Sequence, residues 1–198
     1  MMYTVILLSW VIFGVIHSVT ASVWLKQRFA ARFSHLYTYY RLMYNGIALL
    51  TLPPILWLHR IAPVDYVSAW QGSFLTGSLV IGIGVVIAII ALRGYDLAEF
   101  IGWPVTSKQA GHPKLRQNGL LRYMRHPLYT GTILALAGIW IAQPTWSYLL
   151  LFLAATLYIR VSVYFEERKL IATFGTDYRV YRQHVPMLIP RLSRPSKE

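Results

Sequence analysis

The chain has 198 residues, of which 56% are hydrophobic and 13% are charged, and its mean hydropathy is +0.47. These values point to a membrane protein, and the length fits one domain. Cysteine is absent, which excludes disulfides and thiolate metal sites. The net charge of +12 is compatible with nucleic-acid binding, but the basic residues lie between apolar runs, where orientation in a bilayer is the simpler explanation. We therefore expect the lipid bilayer as a partner and no nucleic acid.

Five apolar runs predict an all-α polytopic membrane protein with five transmembrane helices. The runs cover about residues 2–25, 37–58, 74–92, 127–142 and 146–165. A span needs roughly 20 residues. Basic residues follow the first run rather than precede it, so we expect a mature helix and not a signal peptide. Pro53 and Pro54 are expected to kink or end the second helix early. We predict a single membrane domain, with three helices in residues 1–92 and the functional segment in residues 93–198.

The third run contains Gly77, Gly82 and Gly84. A dinucleotide-binding loop would need a preceding strand and a further glycine at a later position, and the run has neither. Small residues also allow two membrane helices to approach closely. These glycines therefore predict helix packing.

The fourth and fifth runs are separated only by Gln143-Pro144-Thr145. So short a link predicts an antiparallel helical hairpin. The hairpin returns the chain to its starting face, so Glu166 and Glu167 should arrive beside His126. Before the hairpin, the long polar segment 93–126, which includes Lys108 and His112, is predicted to form a lid or pocket wall.

The tail after residue 171 is too polar to span a membrane. Tyr178, Tyr181 and Val185 have helical spacing, so we predict a short amphipathic helix along the cytosolic membrane surface, preceded by a cap at Gly175 and ended by Pro186. If the loops alternate sides, eighteen of the nineteen Lys and Arg residues share one side and only Arg60 lies on the other. This bias predicts an odd number of spans, with the N-terminus outside and the C-terminus in the cytosol. In a bacterium the membrane would be the inner one.

The start of the fourth run carries the densest group of candidate functional residues. Pro127 suits the first position of a helix because its φ is fixed and it lacks an N–H. Free N–H groups and the helix dipole attract anions there, and Arg122, Arg125 and His126 lie close by in sequence. The residues 119–131, here called the seam, therefore predict an anion-binding corner. Anchoring of the helix end to lipid headgroups is the alternative.

The order of these motifs resembles a known family. The pattern Arg125-His126-Pro127-Leu128-Tyr129-x-Gly131, a hairpin, and then Glu166-Glu167-x-x-Leu170-x-x-x-Phe174-Gly175-x-x-Tyr178-x-x-Tyr181 resembles the isoprenylcysteine carboxyl methyltransferases. This region, about residues 115–190, is also similar to phospholipid N-methyltransferases and sterol reductases. In the first half, Gly14-x-x-His17-Ser18 and Tyr40-Arg41-Leu42-x-Tyr44-Asn45 resemble the NnrU branch and the related methanethiol S-methyltransferases.

The resemblance implies a membrane methyltransferase that holds S-adenosylmethionine in a cytosol-facing pocket and methylates a small thiol or a lipophilic acceptor. The cofactor carboxylate would bind at the helix start, its ammonium and ribose at the two carboxylates, and its adenine in an aromatic slot. The expected cofactor-binding residues are His126, Pro127, Tyr129, Gly131, Glu166, Glu167, Tyr178 and Tyr181. Gly131 would let the cofactor or a neighbouring helix approach the backbone. The alternative for the two glutamates is a pair of solvated or salt-bridged charges.

Methyl transfer from a sulfonium needs alignment, exclusion of water and loss of the acceptor's proton. Glu167 and Arg125 are the predicted catalytic residues, with Glu167 holding the cofactor or assisting deprotonation. His17 and Asn45 are candidates for the acceptor site, although interhelical hydrogen bonds explain them equally well. The six histidines show no metal-binding spacing, so no metal is expected.

Two other functions remain open at this point. A reductase of the sterol type would hold a nicotinamide dinucleotide at a similar corner. A non-catalytic membrane protein, as the NnrU resemblance allows, would bind neither cofactor. The residues also leave open the identity of the methyl acceptor and the oligomeric state.

Overall fold

The structure is a computed structural model of the protein and describes residues 1–67, 74–103 and 114–191. Its regular elements are helices, and no β-strand occurs among these residues, which confirms the all-α prediction. The α-helices are α1 Met2–Ala21, α2 Val23–Arg32, α3 Tyr40–Ile61, α4 Phe74–Leu92, α5 Leu97–Ile101, α6 Pro127–Ala142, α7 Trp146–Phe174 and α8 Thr176–His184. Short 3-10 helices occupy Ser34–Tyr39 and Gly119–Arg122.

Four helical segments in the described part of the chain are long and apolar enough to cross a membrane. They are Met2–Ala21, Ser34–Ile61, Phe74–Leu92 and Trp146–Phe174. Helix α6 is also apolar but has 16 residues, which gives about 24 Å against a hydrocarbon core of about 30 Å. The protein is thus an integral membrane protein, and the count of five spans stays a prediction.

The structure shifts three predicted helix boundaries. The first helix ends at Ala21 because Ser22 is extended, with φ −64° and ψ 145°, and its hydroxyl accepts a hydrogen bond from the Leu25 amide at 3.2 Å. A serine in this position competes for backbone groups and starts a new helix, α2. The predicted end at Leu25 was therefore wrong.

Helix α3 continues through Pro53 and Pro54 to Ile61, so of the two predicted outcomes the early end was wrong and the kink stays a prediction. The bilayer core contains no water to hydrogen-bond the N–H and C=O groups that a broken helix would leave free. This favours continuation of the helix past a proline. Helix α7 extends nine residues beyond the predicted end at Phe165 and ends at Phe174. Gly175, with φ +57°, ends it as predicted, since glycine enters this region without a steric penalty.

The described residues form two compact units. The first consists of residues 1–65 and 95–103, and the second of residues 66–67, 74–94 and 114–191. Helix α4 therefore belongs with the hairpin rather than with the N-terminal helices, and α5 belongs with the N-terminal helices. The prediction of a single membrane domain stays a prediction.

In the first unit, α1 packs against α3 through aromatic and histidine side chains. The indole of Trp10 donates to Nε2 of His59 at 3.0 Å. His17 is buried, as expected. Its ring stacks on that of Phe13, with 4.5 Å between the ring centroids, and packs edge-on with that of Tyr44, with 4.9 Å between the centroids. These contacts hold the two helices together along their length.

In the second unit, α4 and α6 run antiparallel and approach closely at glycines. A Cβ built on Gly84 would lie 2.5 Å from the carbonyl oxygen of Gly131, and a Cβ on Gly131 would lie 2.5 Å from that of Gly84. Gly77 meets Ala142 in the same way. The packing prediction is confirmed for Gly77 and Gly84. It was wrong for Gly82, where an added Cβ would meet nothing within 4 Å, because two residues along a helix turn the side chain to the other face.

The hairpin brings the end of α7 to the start of α6. The turn between them is short, as predicted, and the Thr145 hydroxyl caps α7 by accepting from the Tyr148 amide at 3.3 Å. Helix α7 has 29 residues, about 43 Å, so it extends beyond the roughly 24 Å of α6. This excess length carries Glu166 and Glu167 level with the seam.

Substitution of Gly84 by alanine should destabilise the fold by about 1–3 kcal/mol, because the new methyl group overlaps backbone atoms of α6. Gly82→Ala is the matched control and should be neutral or slightly stabilising, since alanine is the better helix former. Thermal unfolding of the purified protein in detergent, followed by circular dichroism, measures both. Equal stability of the two variants would contradict close packing of α4 on α6.

Candidate functional site

The seam enters α6 at Pro127, which is the first residue of the helix as predicted. The two amides before it are already bonded: Arg125 N–H donates to the carbonyl of Pro186 at 2.9 Å and His126 N–H to that of Met187 at 3.1 Å. Residues 186–191, here called the strap, thus lie across the seam. The hydroxyl of Thr130 adds a bond to the Leu188 carbonyl at 2.8 Å. Pro127 is fully buried, so the first residue of α6 is covered by the protein.

Glu167 lies at the centre of a buried polar network. Its Oε1 accepts from Nε and Nη2 of Arg125 at 2.7 and 2.6 Å, lies 3.3 Å from Nε2 of His126, and accepts from the Tyr178 hydroxyl at 3.3 Å. Nε of Arg182 lies 3.6 Å from Oε2. Only 5% of Glu167 is exposed. Oε1 of this carboxylate is therefore fully engaged by groups of the protein.

Arg125 uses every nitrogen of its guanidinium group in this network. While Nε and Nη2 bind Glu167, Nη1 donates to the carbonyl of Arg182 at 3.1 Å and to the carbonyl of Val185. A buried ion pair is stable only where further hydrogen bonds satisfy both partners. Here they do, and the pair connects the seam, α7 and the end of α8.

Tyr178 is the neutral donor of the network. Burial, together with the negative charge of Glu167, raises the pKa of the Tyr178 hydroxyl well above its usual range. The hydroxyl therefore keeps its proton and donates. Because the folded-state pKa is raised, its stabilising contribution is complete below the ordinary tyrosine pKa of about 10 and is lost only as the pH rises through the raised value.

Glu166 has a different environment from its neighbour. Its side chain is 38% exposed, and Oε2 accepts a hydrogen bond from the Tyr129 hydroxyl at 3.0 Å. The same oxygen lies 3.9 Å from Nδ1 of His126. The ring of His126 thus lies between the two carboxylates, and Glu166 is the one that an incoming molecule can reach.

A cleft of about 630 Å³ opens beside this network. Its lining residues are Lys114, Leu115, Gln117, Arg122, Phe174, Asp177, Val180, Tyr181, His184 and Val185. Tyr181 contributes its ring, and its hydroxyl is bonded to the Leu121 carbonyl at 2.6 Å. The cleft combines an aromatic and aliphatic floor with a polar edge.

The structure joins most of the predicted site residues. Arg125, His126, Tyr129, Glu166, Glu167 and Tyr178 belong to one set of contacts. Tyr181 lines the cleft although it is only 6% exposed, and Tyr178 is 1% exposed. Gly131 packs against Gly84 of α4, so a neighbouring helix occupies its open side. Their predicted roles toward a ligand stay predictions.

The candidates for the acceptor site, His17 and Asn45, belong to the first unit. The Asn45 side-chain amide donates to the carbonyls of Phe100 and Ile101 at 3.1 and 2.7 Å, and so fastens the end of α5 to α3. Of the polar segment predicted as a lid or pocket wall, Lys114, Leu115 and Gln117 line the cleft. Lys108 and His112 lie outside the described residues.

Sequence reasoning missed Arg182 and the strap. Arg182 directly follows Tyr181, and its charge could have marked it as a partner for the glutamates. The strap was passed over because the tail as a whole is polar. The apolar run Met187-Leu188-Ile189 between two prolines was the signal that this part of the tail packs against the protein.

These features define a helical integral membrane protein with a polar site where a membrane hairpin meets a C-terminal helix and strap. Residues 73–177 match the family described as phospholipid methyltransferase. The match covers more than half of the chain, and the protein belongs to this family of methyltransferases.

Curated relatives extend the similarity to most of the chain. Methanethiol S-methyltransferase 2 of Bradyrhizobium diazoefficiens is 36% identical over 191 residues, which cover 91% of this chain and 70% of the relative. Methanethiol S-methyltransferase of Mycobacterium tuberculosis is 32% identical over 189 residues, covering 90% and 74%. No solved structure matches the chain. The resemblance inferred from the motifs is thus confirmed.

The two glutamates should differ sharply in their effect on stability. Glu167→Gln leaves Arg125 buried without its counter-charge and should destabilise the fold by about 3 kcal/mol. Glu166→Gln alters a half-exposed group and should cost less than about 1 kcal/mol. Unfolding in mixed micelles with increasing dodecyl sulfate compares them. If both variants unfold at the same detergent fraction, the buried pair between Arg125 and Glu167 does not stabilise the fold.

Proposed function

We propose that the protein is an S-adenosylmethionine-dependent methyltransferase that methylates a small thiol at the membrane, with methanethiol as the first candidate acceptor. Its membership of a methyltransferase family and the names of relatives aligned over nine tenths of the chain support this proposal. The observation that carries it is the partly exposed carboxylate of Glu166 beside Tyr129 and His126.

The donor and acceptor groups of the site match the cofactor. The methionine part of S-adenosylmethionine carries an ammonium, which needs an anionic acceptor, and a carboxylate, which needs donors. Glu166 is the accessible carboxylate of the network, and the ring of His126 beside it carries nitrogens able to donate, whereas the one proton of the Tyr129 hydroxyl is already donated to Glu166. When bound, the cofactor supplies a methyl group that its sulfonium already activates for displacement.

The cleft provides a place for the nucleoside. Phe174 offers a partly exposed aromatic ring for an adenine, and the Asp177 carboxylate on the edge can accept from ribose hydroxyls. Tyr181 lines the cleft but is only 6% exposed, so it would contribute little contact area to the nucleoside. Tyr178, being buried, would instead act through Glu167.

Glu167 and Arg125 would act as positioning residues rather than by direct contact. The Arg125 guanidinium and Oε1 of Glu167 are engaged by protein partners, and Glu167 fixes His126 from one side of its ring. Displacement at a methyl group depends on alignment of the attacking and leaving atoms within a fraction of an ångström. A rigid network behind the site therefore serves the reaction without touching the reacting atoms.

Titration calorimetry should detect binding of S-adenosylmethionine to the purified protein, and Glu166→Gln should weaken it about 10- to 100-fold because one charged hydrogen bond is lost. Methyl transfer from labelled cofactor to methanethiol should fall at least as far. Arg179→Gln, an exposed change on α8, is the control and should match the wild type.

Two results would contradict the proposal. The first is unchanged affinity and turnover in Glu166→Gln. The second is binding of NADPH in place of S-adenosylmethionine, as a reductase of the sterol type requires. The names of the relatives do not favour this alternative, nor a non-catalytic role.

We also propose the membrane orientation that the charge bias predicts, with five spans including α6, an outer N-terminus and a cytosolic α8. In a bacterial cell the membrane is then the inner one. The cysteine-free sequence allows a direct test with Val64→Cys and Gln183→Cys, both at exposed positions. A membrane-impermeant maleimide should label Val64→Cys in intact cells and Gln183→Cys only after permeabilisation. Labelling of Gln183→Cys in intact cells would reverse the orientation.

A further inference from the structure

Helix α2 follows a membrane span but does not continue it. Helix α1 has 20 residues, about 30 Å, and so is long enough to reach the bilayer surface at Ala21. Ser22 interrupts the helical path, and α2 then contains four polar residues among its ten, Lys26, Gln27, Arg28 and Arg32. Such a helix is too polar to enter the hydrocarbon. Its place is the interface between lipid and water.

One face of α2 packs on the protein and the opposite face is open. Phe29 on the inner face meets the edge of Tyr40 at 5.1 Å, and Leu25 lies half-buried beside it. Trp24, Arg28 and Arg32 follow one another at intervals of four residues on the open face, and all three are exposed. The guanidinium of Arg28 lies over the Trp24 ring, 4.9 Å from its centroid. We call these three residues the α2 stripe.

The charges of the α2 stripe have no acidic residue near them in sequence. Residues 1–64 contain neither Asp nor Glu. Arg28 and Arg32 lie one helical turn apart, and like charges at this spacing repel each other. The helix dipole favours Arg32 in the last turn but gives Arg28 less support. An anion placed between the two guanidinium groups would relieve this repulsion.

We propose that the α2 stripe binds the phosphate of an anionic phospholipid headgroup. Guanidinium groups pair with phosphate oxygens in a bidentate manner, and tryptophan side chains favour the headgroup level of a bilayer. A lipid headgroup also explains the position of the site, since the stripe begins three residues after the end of a membrane span. The cation–π contact with Trp24 holds the Arg28 guanidinium in place for the phosphate.

Titration of the detergent-purified protein with phosphatidylglycerol tests the proposal, with thermal stability as the readout. The wild type should gain stability with phosphatidylglycerol and not with phosphatidylcholine. In Arg28→Gln/Arg32→Gln, the phosphatidylglycerol concentration for half-maximal stabilisation should rise about 25-fold, since each basic side chain at an anionic surface contributes about a fivefold factor. Arg60→Gln is the matched control, an exposed arginine at the far end of α3, and should behave as the wild type.

Two further arms make the outcome decisive. Bromine-labelled phosphatidylglycerol should quench tryptophan emission in the wild type. In Trp24→Phe the decrease in emission should be smaller, because the quenched emission of Trp24 is missing. Inorganic phosphate at equal concentration should not stabilise the protein. The proposal is overturned if the double variant responds like the wild type, if Arg60→Gln loses the response equally, or if inorganic phosphate replaces the lipid.

Discussion

The buried ion pair between Arg125 and Glu167 is the interaction on which the arrangement of the second unit depends. It ties the entry of α6 to the end of α7, and the remaining nitrogen of Arg125 holds the last turn of α8 and the residue after it. Desolvating two charges is costly, so such a pair persists only when its geometry satisfies both groups. Tyr178 and Arg182 complete that satisfaction around Glu167. The same contacts that stabilise the joint also fix His126.

Packing between the helices decides whether the ion pair between Arg125 and Glu167 can form. Glycines allow the backbones of α4 and α6 to touch, and this contact sets the position of α6. The three-residue turn then holds α7 antiparallel to α6, and the greater length of α7 carries its charged end past the apolar part of the hairpin. A larger residue at Gly84 or Gly131 would displace α6, and with it Pro127 and the site residues next to it, without touching the site.

Two glutamates that are adjacent in the chain have different tasks because adjacent residues on a helix point about 100° apart. Glu167 points into the junction with α8 and is engaged by donors, whereas Glu166 points toward Tyr129 and remains half exposed. A buried, paired carboxylate suits the support of a site. An accessible one with a single hydrogen-bond donor suits contact with a ligand. This division gives a physical basis for the proposed methyltransferase site.

The sequence predicted the helical class, the start of α6 at Pro127, the hairpin and the meeting of the glutamates with His126. These features follow from local rules, namely the apolar period, the fixed φ of proline and the short reach of a three-residue turn. It also determined the family, since the ordered motifs are specific. The folded structure was needed to show which glutamate is buried, that Gly131 meets α4, and that the strap closes the seam. Each of these depends on contacts between residues distant in sequence, or on a choice between faces of one helix, which no local pattern contains.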